Sequence, residues 1–120
     1  GRQSALKKSS KKVVFLESIT PIENLEPGVI CSVAGFVTGL GEVREFQRDD
    51  GKAGRVANIY ISDDTGRIRV ALWGDHVDLL QGLDLGWRAE IIDAQAKSGW
   101  NDELEISCGW RTRITFAPPG

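Results

Sequence analysis

The sequence predicts an all-β protein, a five-stranded barrel with one short helix between strands 3 and 4. Three observations predict it. Apolar residues recur with a period of two through most of the chain from Val29 to Phe116, the spacing that puts one face of a strand on a core. Glycine, proline and aspartate separate these runs at short intervals, as turns between strands require. Helical spacing is confined to the stretch Gly74–Gln81.

The elements follow in order. Gly1–Lys12 is polar and basic and reads as a flexible arm or linker. Residues 13–120 read as a single domain with a core of about 19–115, long enough to bury apolar side chains without metal or disulfide. Val13–Leu16 is apolar enough for an added strand or a docking segment, and Pro21 and Pro27-Gly28 punctuate the lead-in. In Val29–Thr38, Val29, Cys31, Val33, Gly35 and Val37 share one face. Gly35, Gly39 and Gly41 sit where a long strand bulges or bends, and Val43–Gln47 resumes it. After the polar loop 49–54, Arg55–Ser62 and Arg67–Trp73 alternate in phase around the turn Asp63-Asp64-Thr65-Gly66. If Ser62 faces Arg67, then Ile61 faces Ile68, Ile59 faces Val70 and Ala57 faces Leu72. Asp75 is the expected N-cap of the helix, with Val77, Leu79 and Leu80 as its apolar positions. Trp87–Lys97 changes apolar parity past Asp93, which predicts a bulge. Leu104, Ile106 and Cys108 form the last core strand, and Trp110–Phe116 either continues it or adds a sixth. Three strands, a short helix and two strands is the order of the Greek-key OB-fold barrel.

Composition narrows the function. The net charge is −2, and five of the 15 basic residues lie in the first 12 positions; residues 13–120 hold the remaining 10 against 17 acids, a net of −7. An attractive site for phosphate must therefore be local. Cys31 and Cys108 fall on apolar parities and read as buried free thiols of a reducing, cytoplasmic setting, with a disulfide as the alternative. One histidine, His76, and two cysteines do not make a zinc site. Asp49-Asp50 and Asp63-Asp64 sit beside glycine in turns, where aspartate bonds its own backbone. Gly39-Leu40-Gly41 lacks the third glycine of a dinucleotide loop, and no nucleophile stands at a motif spacing from His76. No cofactor, metal or catalytic activity is expected. No apolar run reaches the roughly 18–20 residues that span a bilayer.

Binding a single strand needs cations along the phosphates and flat side chains for the bases. The outer face of the expected hairpin gathers Asn58, Tyr60, Arg67, Arg69 and Trp73, with Tyr60 across from Arg69. Arg44, Arg48, Lys52 and Arg55 flank it, so six of the ten basic residues of 13–120 lie between 44 and 69. Lys97 and Trp100 close over the groove from the last loop. Singly, each has a bland reading: Trp73 packs under a loop, Tyr60 and Arg69 form a plain cross-strand pair, and the basic residues are solvated beside Glu45, Asp49 and Asp50. Trp87 and Trp110 read as structural.

The stretch Val43-Arg44-Glu45-Phe46, Asp50-Gly51 and Gly54-Arg55-Val56, running on to Asp63–Trp73, resembles the DNA-binding OB domains of the archaeal replication protein A and single-stranded DNA-binding protein family. The lead-in Ile22–Gly28 and Gly99-Trp100-Asn101 ahead of Leu104–Ser107 are similar to theirs. The resemblance implies that Trp73 and Trp100 are the base-stacking pair and that Arg69 and Arg44 contact the strand. It implies largely sequence-independent single-stranded DNA binding in replication, repair or recombination, in a nucleoid-associated setting. Sister OB domains and replication or repair proteins are the further partners it implies. A face that engages a protein or sister domain, and an RNA-binding OB domain, stay open as alternatives.

Overall fold

The longest alternating run becomes the longest strand, β1 (Ile30–Gln47), and it is shared between two partners. A computed structural model of the protein describes residues 19–99 and 102–119. The arm Gly1–Lys12, the segment Val13–Leu16 and Trp100 lie outside the described residues. The first half of β1 pairs antiparallel with β4 (Arg88–Ser98) and the second half with β2 (Ala53–Ser62). Phe36 stands at the crossover, opposite Arg88 on one side and Ser62 on the other. There the strands close in so tightly that a Cβ on Gly35 would sit 2.5 Å from the Ser62 carbonyl oxygen, which only glycine avoids. Register slips between Val37 and Gly39 and between Leu40 and Val43 bend β1 as closure demands.

β2 and β3 (Arg67–Trp73) form the hairpin in the expected register, Ser62 opposite Arg67 and Ala57 opposite Leu72. Its turn is tied by one carboxylate. Asp63 Oδ1 accepts from the Thr65 and Gly66 N–H groups at 2.7 and 3.0 Å and from the Thr65 hydroxyl at 2.6 Å. Asp63 Oδ2 accepts from the Ile22 N–H at 2.9 Å, so the lead-in is pinned to the same turn. Burial works to raise the Asp63 pKa, but these hydrogen bonds outweigh it and hold the carboxyl below its ordinary value.

β5 (Leu104–Cys108) runs parallel to β3 and antiparallel to β4, which gives the closed circuit β1-β2-β3-β5-β4. β6 (Arg113–Ala117) is a sixth strand on the same edge of β4 as β5, beyond a break. The break faces the expected bulge, where Asp93 adopts φ 59°. Two buried polar residues staple it: the Ser32 hydroxyl accepts from the Asp93 N–H and the Thr112 hydroxyl donates to the Asp93 carbonyl, both at 3.1 Å.

Ile59, Ile61, Val70, Leu72, Ile91 and Ile106 fill the barrel, each worth roughly 1.5–3 kcal/mol on leaving water. Cys31 and Cys108 are buried free thiols in that core. Burial, aided by the neighbouring Cys31, pushes Cys108 up to about 12. The helix between β3 and β4 is a 3-10 helix, Gly74–Leu80, and differs from expectation in two respects. Its N-cap is Trp73, with no side-chain cap, and Asp75 lies inside the first turn. With three residues per turn, Val77 and Leu80 stack on the inner side, while Leu79 remains 42% exposed.

Candidate nucleic-acid interface

The even-numbered positions of β2 and the odd-numbered positions of β3 share the outer face of the hairpin, because the odd positions of β2 are committed to the core. Tyr60 lies across from Arg69, Asn58 from Ala71 and Val56 from Trp73. Tyr60 is not simply paired with its cross-strand neighbour. The Arg67 guanidinium sits 4.3 Å from the Tyr60 ring centroid, and its Nε donates to the Thr38 hydroxyl at 3.3 Å. Arg69 is held instead by Glu105, its register partner on β5: Nε and Nη2 both reach Oε2 at 2.9 Å. The two side chains are only 19% and 14% exposed. Lys97, opposite Glu105 on β4, is half-buried beside the pair.

Trp73 ends β3 at the rim. Its indole Nε1 donates to the Ser107 hydroxyl at 3.1 Å, which fixes the ring plane while leaving 38% of the residue exposed. Phe46 meets it edge-on, with centroids 5.8 Å apart and planes at 83°. Phe46 comes from the end of β1 and lies over Gly54, where a Cβ would stand 2.5 Å from the ring. Arg44 is exposed on β1, and Lys52 is exposed in the tight 48–52 loop, where its N–H donates to Asp50 Oδ1 at 3.0 Å. Arg55 leans away from the hairpin onto the 3-10 helix. Its Nη1 pairs with Asp78 Oδ1 at 2.8 Å and its Nη2 donates to the Gly74 carbonyl at 3.4 Å. That guanidinium holds the Asp78 carboxyl below its ordinary pKa.

The ten expected site residues thus divide. Asn58, Tyr60, Arg67, Arg69 and Trp73 share one face; Arg44 and Lys52 stand at its border; Lys97 lies beside Glu105; Arg55 is turned into an ion pair; Trp100 lies outside the described residues. Two aromatics were missed. Phe46 belongs with Trp73, and the glycine opposite it is the signal that marks it. Trp110 corrects the structural reading: it is 86% exposed, because the break opposite the Asp93 bulge carries it out on the 109–112 turn. Trp87, by contrast, packs against the core. His76 is half-buried, its Nε2 2.8 Å from the Gly109 carbonyl oxygen.

Phe46, Arg48, Trp73, His76 and Trp110 line an open cleft of about 860 Å³. A second hollow of about 420 Å³ lies between Tyr60, Arg67, Arg69 and Leu104. The chemistry on offer is stacking and cationic contact. Among the described residues, no group of three or more His, Cys, Asp or Glu side chains is placed to hold a metal ion, and no helix is long and apolar enough to cross a membrane.

A closed circuit of five strands in this order, with a short helix between β3 and β4, defines an OB-fold domain. The chain is 34% identical over 105 residues to replication factor A of Methanothermobacter thermautotrophicus, covering 87% of this chain and 13% of that protein. It superposes on the second OB-fold domain of replication protein A from Methanococcus maripaludis with a TM-score of 0.69 and 30% identity, over 81% of this chain and 92% of that one. The replication factor A related protein from Methanobacterium thermoautotrophicum gives a TM-score of 0.73 at 28% identity, over 82% and 89% of the two chains. No family model matches the chain. The chain belongs to the OB-fold domain family of archaeal replication protein A.

Proposed function

We propose that this domain binds single-stranded DNA without catalysis and largely without regard to sequence. Bases stack on Trp73, and phosphates are met by Arg44, Lys52 and the arginines of the hairpin face. The observation that carries the reading is the Trp73 ring, set at the rim by Ser107 and Phe46 and left open to solvent in a cleft that Arg48 also lines. A flat ring already fixed in place loses little entropy when a base stacks on it, and each such base is worth roughly 1–3 kcal/mol. Membership of the replication protein A domains supports the same ligand. Arg55 enters the reading as a residue that orders the 3-10 helix rather than as a phosphate contact.

The net charge of −7 over residues 13–120 favours a second reading, in which the face docks against a sister domain or another protein. One titration separates the two. Intrinsic tryptophan fluorescence is followed as oligo-dT is added at low and high salt, for wild type and Trp73→Ala. Saturable quenching that weakens with salt, and affinity lost about tenfold or more in Trp73→Ala, supports stacking. A folded wild type that shows no quenching at low salt removes the DNA reading and leaves the docking one.

A further inference from the structure

We infer that Trp110 is a further base platform, a subsite that takes one nucleobase of a single strand lying beyond Trp73; this rests on the single-strand reading above. Trp110 lies after the last barrel strand and is 86% exposed. A lone exposed tryptophan on a loose loop would carry no weight. This one stands on a turn tied at both ends. The Thr112 N–H donates to the Gly109 carbonyl, and the Gly109 N–H donates to the Thr112 hydroxyl, each at 3.1 Å. The buried Thr112 hydroxyl donates in turn to the Asp93 carbonyl of the bulge, and His76 Nε2 reaches the Gly109 oxygen. Four contacts therefore hold the turn under a residue whose own side chain packs on little but Arg111, whose guanidinium sits 4.9 Å from the indole centroid.

The occupant follows from what surrounds the ring. Trp110 shares one open cleft with Trp73 and Phe46, so a strand stacked on Trp73 has a continuous path to it. The cleft lining combines three aromatic rings, Phe46, Trp73 and Trp110, with Arg48, while Arg55 is already held by Asp78. It therefore suits flat bases on an anionic backbone better than an apolar protein segment. Arg111 over the indole sets a cation against the ring, while the 86% exposure of Trp110 leaves the ring open to a base.

The test uses the whole chain and fluorescently labelled oligo-dT of about 4 and about 16 nucleotides, the span of strand lengths that single OB domains occupy. Trp110→Ala, Trp110→Phe and Trp73→Ala are compared with wild type by anisotropy titration, with thermal melts as the folding control. The expected result is that Trp110→Ala weakens the longer oligomer about tenfold and the shorter one little, that Trp110→Phe restores most of the loss, and that the melting temperature is unchanged. If Trp110→Ala binds both lengths as wild type does while Trp73→Ala is impaired, the subsite is overturned and the single-strand reading stands. If wild type binds neither oligomer, both fall together.

Discussion

At the scale of single residues, the arginines of the hairpin face are not equivalent. Arg67 covers the Tyr60 ring and Arg69 is tied to Glu105, so a phosphate that approaches Arg69 competes with a carboxylate already in place. Cation and carboxylate are mostly out of water, so removing the charge of one partner costs more than it would in an exposed pair. Glu105→Gln keeps the shape and removes the charge. The expected outcome is a loss of about 1–3 kcal/mol in urea unfolding. In oligo-dT binding, the slope of log K against log salt steepens by about 0.7, as one more cation becomes free to displace a counterion. An unchanged slope with the expected loss of stability would show that Arg69 works only as a structural partner of Glu105.

At the scale of elements, the β1–β2 hairpin end supplies the aromatic corner, and its geometry depends on a missing side chain. Phe46 reaches Trp73 because Gly54 leaves the space above it empty. Gly54→Ala places a methyl where the ring now lies and drives Phe46 aside. Gly54 is in β2 at an ordinary backbone angle, and Phe46 is 39% exposed and able to swing outward. Stability is therefore expected to change by less than about 1 kcal/mol. Oligo-dT affinity is expected to fall several-fold, since Trp73 loses the neighbour that sets its edge. Equal affinity in the two proteins would show that Ser107 alone orients the indole.

At the scale of the whole molecule, the barrel is a closed circuit, and the parallel β3–β5 pairing joins its two halves. Ile106 stands at that join, opposite Val70 on one side and Ala96 on the other, with no solvent exposure. Ile106→Ala is expected to cost about 2–5 kcal/mol, read as a lower urea midpoint with an unchanged slope. A change in slope instead would mean that the two halves of the barrel unfold separately.

The hairpin was legible because period-two alternation and a four-residue turn leave one register that buries Ala57, Ile59 and Ile61 together, and the Asp93 bulge was legible because the parity of apolar residues reverses there. Trp73, Tyr60 and the two hairpin arginines could be assigned to one face for the same reason. What alternation does not carry is any contact between strands distant in the chain. The Arg69–Glu105 pair needs the parallel β3–β5 register, the Phe46–Trp73 corner needs the bends of β1, and the outward turn of Trp110 needs β5 and β6 to share one edge of β4. Sequence periodicity alone determined which side of each strand a residue occupies, since that depends only on near neighbours along the chain. Barrel closure decided which side chains meet and which cations are already occupied, because those distances are set by strands that come together only when the circuit closes.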